Sequence, residues 1–225
     1  MSLQEKLTAF KAQFQSGKPP FEGVPASVHD AMQRATNELI ASGAGQRVRR
    51  TGPAPQFELL DSNGALVRLA DLLAAGPVVL NFFRGVWCPY CNIDLHALES
   101  CADEIAKAGA TVVTITPQTA ANSRKVIAAH GPTFPILSDP GNAVASRYGL
   151  RFQLPAYLIA VYKQLGVDLS VINGDDTWTL PMPARIAIDS RGLIRFAEAH
   201  PDYTKGSEPA DLLPVLREIQ RAGAA

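Results

Sequence analysis

The first 50 residues carry apolar side chains with a helical period. These side chains stand three or four residues apart, at Leu3, Leu7, Phe10 and Phe14. The spacing predicts an amphipathic helix. A second helix is expected from about residue 25 to residue 42, where "SGAGQ" ends it, and "TGPAP" marks a boundary at about residue 51. We therefore expect an N-terminal helical extension over residues 1–50, packed on the main domain or on a partner subunit.

From residue 51 onward, strand and helix patterns alternate. "PVVLNFF" and "ATVVTIT" are continuous apolar runs typical of buried central strands. "QFELLDSNGALVRL" is predicted to form a hairpin, and "ARIAID" and "LIRFAEA" a second one. Helices are expected between the strands, including a long one at 89–108 and a last one at about 209–222. This order predicts an α/β fold over 51–225, with a central mixed β-sheet flanked by helices. An insertion at about 151–182 is expected to hold a helix, "AYLIAVYKQLG", and a polar loop.

Charge and composition narrow the classes of partner. Lys plus Arg and Asp plus Glu both number 21, so the formal net charge is zero. A neutral chain gives no electrostatic reason to expect nucleic acid or an anionic membrane as partner. No apolar run approaches the ~20 residues of a membrane span, and the N-terminus lacks the features of a signal peptide. We therefore expect a cytoplasmic protein. A chain without net charge also has little electrostatic repulsion between its copies, which is compatible with a homodimer.

Two of the three cysteines, Cys88 and Cys91, form a C-x-x-C pair where a buried strand gives way to a helix. Pro89 suits the first helical turn, so Cys88 is predicted at the N-cap and Cys91 one turn inside. Unpaired N–H groups and the helix dipole at that end favour a thiolate and lower the thiol pKa. Residues three apart on a helix have Cβ atoms about 5–6 Å apart, so a disulfide can close between them. Position in the helix favours Cys88 as nucleophile, because it is expected to be the more exposed thiol.

Metal binding and incidental burial are the competing interpretations of the pair. A structural zinc site needs four ligands, and Cys101 lies about 15 Å further along the same helix. The histidines are predicted to be isolated from each other, with surface or packing roles. They are His29, His96, His130 and His200. We therefore expect no metal, no cofactor and a buried structural role for Cys101. Buried cysteines are common, so two incidental thiols stay an alternative.

Together these features resemble the thioredoxin superfamily and, within it, the peroxiredoxin-like group, the alkyl hydroperoxide reductase/thiol-specific antioxidant family. The resemblance covers about residues 51–222 and implies a thioredoxin-like fold. It rests on "GPAPQFELLDSNGALVRLADL", "FPILSDPGNAVASRYGL" and the thioredoxin-like "W-C-P-Y-C". Thioredoxin-like proteins place a cis-proline opposite the cysteine pair, just before the penultimate strand. "MPARIAID" puts Pro183 at the matching place.

The two halves of this resemblance assign the cysteines differently. A typical peroxiredoxin loop has a proline, a threonine four residues later and the peroxidatic cysteine three after that. In this sequence those positions hold Arg84, Cys88 and Cys91. When the sequence is instead aligned with the thioredoxin motif, Cys88 corresponds to the exposed nucleophile and Cys91 to the buried resolving thiol. The customary peroxiredoxin arginine falls at Pro183. Arg84 or Arg185 is therefore a candidate to aim a guanidinium at the thiolate and the peroxide; surface salt bridges are the alternative for both.

The resemblance implies a thiol-dependent peroxidase that reduces hydrogen peroxide or alkyl hydroperoxides. Its thiolate would become a sulfenic acid, with which the neighbouring cysteine condenses to a disulfide. A thioredoxin-like or glutathione-like thiol donor would then regenerate the dithiol. The alternatives are a thioredoxin-like disulfide reductase that uses the same pair, and a non-catalytic redox sensor or binding module. Trp87 and Tyr90 are expected to wall the site, with ordinary core packing as their alternative.

Overall fold

The computed structural model describes residues 1–223. Its α-helices are α1 (Leu3–Gln15), α2 (Ala26–Ala41), α3 (Leu69–Ala75), α4 (Pro89–Lys107), α5 (Ala120–His130), α6 (Ala143–Arg147), α7 (Ala156–Gln164), α8 (Leu169–Asn173) and α9 (Leu212–Gly223). Its strands are β1 (Gly52–Pro53), β2 (Glu58–Asp61), β3 (Leu66–Arg68), β4 (Val78–Phe82), β5 (Thr111–Thr116), β6 (Ile136–Ser138), β7 (Arg151–Gln153), β8 (Thr179–Pro181), β9 (Ala184–Ile188) and β10 (Leu193–Ala199). Within this part of the chain, no helix is long and apolar enough to cross a membrane.

Eight of the strands described form one mixed sheet, in the order β1-β10-β9-β4-β5-β6-β2-β3. Strands β4, β5 and β6 are parallel, whereas β9 runs antiparallel to β4 and β10 antiparallel to β9. Every residue of β4 is buried, as expected for a central strand covered on both faces. The predicted α/β fold with a central mixed sheet is confirmed.

The N-terminal extension packs on the main domain. Helix α1 begins at a capping box, in which the Glu5 N–H donates to Ser2 Oγ at 3.1 Å and the Ser2 N–H donates to Glu5 Oε2 at 2.7 Å. Its apolar face, with Leu3 and Leu7 at 1% and 2% exposure, joins the core formed by α4 and α9. Burial of that face, more than intrinsic helix propensity, holds α1 in place.

A close backbone approach ties the end of the extension to the main domain. Gly149 lies in the left-handed region at φ +76°, and a Cβ there would stand 2.1 Å from the carbonyl oxygen of Arg47. Next to it, the Arg49 N–H donates to the carbonyl of Tyr148 at 3.0 Å. Only glycine meets both the backbone conformation and the spacing.

The segment from β7 to β8 forms a small unit. Its two strands pair antiparallel, and between them lie the predicted helix, α7, and a second helix, α8. Its apolar core includes Leu154, Leu158, Tyr162, Leu169 and Leu180. Helix α2 packs against α7, so the N-terminal extension and the insertion meet each other.

Candidate active site

The loop between β4 and α4 sets the position of the cysteine pair. Cys88 is the N-cap of α4, and Pro89 occupies the first helical position, as predicted. Gly85 has φ +141°, and a Cβ there would lie 2.7 Å from Trp87 Nε1. The loop backbone is held on both sides: the Val86 N–H donates to Gln118 Oε1 at 2.9 Å, and Asn92 Nδ2 donates to the Val86 carbonyl at 2.9 Å. The N-terminus of α4 is therefore fixed rather than free.

Cys88 and Cys91 lie close together, 3.0 Å apart at their closest approach. Both thiols are buried, with 2% exposure for Cys88 and 4% for Cys91. The expectation that Cys88 would be the more exposed thiol was therefore wrong. The N-terminal extension packs beside the start of α4, where the Phe10 ring meets the Tyr90 ring edge-on with ring centres 5.0 Å apart.

The surroundings of the two thiols shift their pKa values in opposite directions. Burial alone would raise the pKa of Cys88. A hydrogen bond from the Cys91 thiol, the charge of Arg84 and the N–H groups of Cys91 and Tyr90 together outweigh burial, and the pKa of Cys88 falls to about 7. Burial, together with that same hydrogen bond and the negative charge on Cys88, raises the pKa of Cys91 well above its ordinary value. Of the two thiols, Cys88 is therefore the more acidic.

Arg84 is a buried guanidinium beside this thiolate. Its side chain is 2% exposed, and no carboxylate of residues 1–223 forms an ion pair with it. Burial opposes its charge, but interaction with Tyr162 and Cys88 raises its pKa. Its Nη2 donates to the Tyr162 hydroxyl, while its Nε finds no acceptor among the described residues. A buried charge without a partner is costly. The interaction between Arg84 and a Cys88 thiolate lowers this cost, because it raises the pKa of the guanidinium and lowers that of the thiol.

Aromatic rings enclose the guanidinium. Its Cζ lies 4.2 Å from the ring centre of Tyr203, 4.8 Å from that of Trp87 and 6.0 Å from that of Tyr162. Distances of this order are typical of cation–π contacts. Trp87 and Tyr90 also line a cavity together with Cys88, in line with the expectation that they wall the site.

The structure separates the two candidate arginines. Arg185 is buried in β9, where its Nη2 pairs with Asp94 and its Nη1 donates to the Ser207 carbonyl. It lines a small cavity beside Cys91, but its guanidinium is committed to Asp94. Arg84, in contrast, has its charge available to the cysteine pair.

Pro183 lies directly before β9, beside both the Arg84 cavity and the Cys91 cavity. The Met182–Pro183 bond is trans, since the cis peptide bond of residues 1–223 is Pro19–Pro20. Pro183 therefore occupies the place that the resemblance implied, but its peptide bond does not have the cis conformation of the thioredoxin proline.

Of the remaining cysteine and the histidines, His200 lies at the edge of this site, where it lines the small cavity beside Cys91. Cys101 is buried on the apolar face of α4, as predicted. The expectation that the histidines are isolated from each other was wrong for one pair. His96 and His130 pack edge to face with ring centres 4.6 Å apart, because α4 and α5 bring distant parts of the chain together. Among residues 1–223, no three His, Cys, Asp or Glu side chains are grouped as metal ligands.

Sequence reasoning missed the tyrosines and the phenylalanines around the pair. Tyr162 comes from the insertion and Tyr203 from the segment after β10, and both contact Arg84. Phe10, Phe14 and Phe21 come from the N-terminal extension. The helical period of Phe10 and Phe14 indicated a buried face, but nothing in the sequence indicated that this face lies over Cys88.

The fold and the site together define a thioredoxin-fold oxidoreductase with a cysteine pair at the start of a helix. A family model described as "AhpC/TSA family" matches residues 51–197. The chain therefore belongs to the AhpC/TSA family, as the resemblance implied. Its peroxiredoxin relatives place it among the thiol-dependent peroxidases and oxidoreductases.

Individual comparisons agree with this assignment. Peroxiredoxin Q, chloroplastic, from Oryza sativa subsp. japonica is 28% identical over 145 residues, which cover 64% of each chain. Thiol-disulfide oxidoreductase ResA from Halalkalibacterium halodurans is 29% identical over 110 residues, covering 48% of this chain and 61% of that one. The crystal structure of peroxidoxin BcpB from Mycobacterium tuberculosis has the same fold, with a TM-score of 0.59 and 23% identity over 78% of this chain and 97% of that one. The chain thus spans about two thirds of the two curated relatives.

Proposed function

We propose that the protein is a thiol peroxidase in which Cys88 attacks the peroxide and Cys91 resolves the product. One observation carries the assignment: Cys88 and Cys91 lie within 3.0 Å of each other, and the pKa of Cys88 is about 7 while that of Cys91 is raised well above its ordinary value. Only the thiolate is an effective nucleophile. Near neutral pH Cys88 is therefore the thiol that supplies the nucleophilic thiolate, while Cys91 remains protonated.

In the first step, the Cys88 thiolate attacks the terminal oxygen of the hydroperoxide. The S–O bond forms as the O–O bond breaks, which gives a Cys88 sulfenic acid and an alkoxide or hydroxide that takes up a proton. Negative charge develops on the leaving oxygen in this step. The guanidinium of Arg84, buried and free of carboxylate partners in the described chain, is suited to stabilise that charge.

In the second step, the Cys91 sulfur attacks the Cys88 sulfur, which forms the disulfide and releases the sulfenic oxygen as water. The short separation allows this step without a second subunit. Reduction of the disulfide requires an external dithiol or two thiols, and a thioredoxin-like or glutathione-like donor would supply the electrons.

Disulfide reduction is the second candidate function, favoured by the "W-C-P-Y-C" motif and by the similarity to ResA. Two features count against it. A protein disulfide would have to reach a Cys88 thiol that is 2% exposed, and the Met182–Pro183 bond lacks the cis conformation of thioredoxins.

The test is to treat single-cysteine variants with hydrogen peroxide and to trap sulfenic acid for mass spectrometry. Cys91→Ser is expected to form one stoichiometric sulfenate at Cys88, and Cys88→Ser to form none at a comparable rate. Cys101→Ser, which changes a buried thiol on the same helix, is the matched control and should form the disulfide as the unmodified protein does. If Cys88 reacts no faster than a free thiol while insulin disulfides are reduced, the reductase replaces the peroxidase.

A further inference from the structure

Arg84 borders two cavities, and Cys88 lines one of them. The other has a volume of about 240 Å³ and lies between helix α2 of the N-terminal extension and the insertion. Neither Cys88 nor Cys91 contributes to its walls. The guanidinium of Arg84 therefore links the reactive cysteine to a separate space, to which the peroxidase chemistry assigns no role.

The walls of this second cavity are mostly apolar. Met32 and Leu39 line it from α2, and Phe152 and Leu158 line it from the insertion. Ligand pockets typically combine such walls with a small number of polar groups that fix the orientation of the ligand. The volume is slightly below the ~300 Å³ at which pockets for drug-sized ligands begin, so the cavity suits a small molecule with an apolar body.

The buried charge at this cavity is that of Arg84, and it has no carboxylate partner. The side chain is 2% exposed, its Nε finds no acceptor among residues 1–223, and no ion pair engages it there. Glu38 also lines the cavity, but its exposed carboxylate already accepts from Arg34 Nε at 2.7 Å and from the Tyr157 hydroxyl at 2.6 Å. The planar guanidinium matches the geometry of a carboxylate, so a carboxylate ligand would complete the pairing of Arg84.

The need for an anion at Arg84 depends on the state of the cysteine pair. In the reduced protein, the charges of Arg84 and a Cys88 thiolate stabilise each other. The disulfide of the proposed function carries no charge, so its formation leaves the buried guanidinium without an anion. Such a charge is costly, and an anion supplied from the second cavity would lower that cost.

We propose that the cavity between α2 and the insertion binds a small carboxylate with an apolar body, and that it binds this ligand more tightly when Cys88 and Cys91 form a disulfide. The carboxylate pairs with Arg84, and the apolar body lies against α2 and the insertion. Because coupling between two sites is reciprocal, the bound ligand stabilises the disulfide against reduction. The redox half of this inference rests on the proposed function, and the binding half does not.

Calorimetric titration of the full chain with hexanoate tests the binding site. Two further probes divide the ligand: 1-hexanol keeps the apolar body without the charge, and acetate keeps the charge with almost no apolar body. Hexanoate is expected to bind about tenfold more tightly than either, as a hydrogen bond to a charged group allows. In Arg84→Gln its affinity should fall to that of 1-hexanol. Equal affinities for hexanoate and 1-hexanol in the unmodified protein would overturn the proposal.

A pair of variants on α2 locates the bound hexanoate. Ala35→Phe places a ring in the cavity from a half-buried position and should abolish binding. Ala41→Phe makes the same change at an exposed position of α2 that does not line the cavity, and it should bind hexanoate as the unmodified protein does. Unchanged binding in folded Ala35→Phe would overturn the assignment to this cavity.

The redox half is tested by the same titration at pH 8, above the Cys88 pKa of about 7. Protein oxidised with diamide, which forms the disulfide without peroxide, is expected to bind hexanoate roughly tenfold more tightly than reduced protein, a typical coupling between two sites. Reduced Cys88→Ser, which lacks the thiolate, should bind as tightly as the disulfide form. Equal affinities of all three proteins would overturn the coupling.

Two outcomes separate this inference from the peroxidase assignment. If hexanoate binds as expected but hydrogen peroxide oxidises Cys88 no faster than a free thiol, the peroxidase fails and the carboxylate site stands. If hydrogen peroxide rapidly forms the disulfide but hexanoate binds to neither redox form, the carboxylate site fails and the peroxidase stands.

Discussion

Cys88 and Cys91 lie within 3.0 Å of each other, and both residues are buried. Their surroundings make the two cysteines unequal in acidity: the pKa of Cys88 falls although burial opposes it, because a hydrogen bond from the Cys91 thiol and the charge of Arg84 favour its thiolate, whereas burial raises the pKa of Cys91. The roles that we propose for the two thiols differ accordingly. This asymmetry leads to the first two predictions.

The reactivity of Cys88 is expected to rise as pH increases through about 7, the pKa of its thiol in the folded protein. In the unfolded chain the thiol keeps its ordinary value of 9.0. Between these two values the unfolded state holds the proton and the folded state does not, so this group makes the free energy of unfolding increase with pH. That contribution is lost as pH falls through 7. Thiolate absorbance in the ultraviolet measures the pKa of Cys88. The difference in unfolding free energy between the reduced protein and Cys88→Ser, measured as a function of pH, gives the contribution of this thiol to stability. A titration near 9 would contradict the assignment.

Removing the donor of this hydrogen bond should raise the pKa of Cys88. Cys91→Ala deletes the donor, whereas Cys91→Ser keeps a hydroxyl that can donate. We therefore expect the Cys88 titration to move to higher pH in Cys91→Ala and to move less in Cys91→Ser. The measurement is the pH dependence of sulfenate formation at Cys88 in both variants. Coincident profiles for alanine and serine would show that the hydrogen bond does not set the acidity.

The two buried arginines should have separable effects. Arg84→Gln removes the charge beside Cys88, and loss of such a stabilising group costs roughly 10²–10³-fold in rate. Arg185→Gln breaks the ion pair with Asp94, which should lower the free energy of unfolding by roughly 1.5–3 kcal/mol. Peroxide kinetics and denaturant unfolding of both variants test the assignment. Arg84→Lys, which retains the charge, should restore part of the lost rate; equal rate losses in Arg84→Gln and Arg185→Gln would contradict it.

The contact between Gly149 and Arg47 should make position 149 intolerant of a side chain. Gly149→Ala would place a Cβ 2.1 Å from the Arg47 carbonyl oxygen, and forced overpacking costs roughly 1–3 kcal/mol. Gly141 has a similar backbone, at φ +64°, with no atom within 4 Å of an added Cβ. Gly141→Ala is therefore the matched control for the backbone strain alone. Thermal unfolding should show a greater loss for Gly149→Ala. Equal losses would mean that the strands and helices shift easily at this junction.

The sequence predicted the parts of this protein that depend on local pattern. Continuous apolar runs identified β4 and β5, and Pro89 after a cysteine identified the start of α4. The burial of Cys88 could not be predicted, because the start of α4 meets Phe10 of the N-terminal extension through Tyr90, and the sequence does not show contacts between such distant parts of the chain. Helical periodicity shows that a face is buried, and it does not show what that face buries.

The choice between Arg84 and Arg185 was open for the same reason. Arg84 follows the buried strand β4 and Arg185 lies within the buried strand β9, and the sequence does not show which of the two arginines meets a carboxylate. Asp94 lies on α4, one turn past Cys91, where it faces β9 and engages Arg185. That pairing leaves Arg84 as the arginine beside the thiolate.

The closeness of Cys88 and Cys91 also bears on how long an oxidised cysteine would persist. A sulfenic acid is converted to sulfinic acid only if a further peroxide molecule reaches it before a thiol does. At Cys88 the competing thiol belongs to a residue that lies 3.0 Å away, and both cysteines are buried. In the peroxidase that we propose, this arrangement favours intramolecular trapping of the sulfenic acid over its further oxidation.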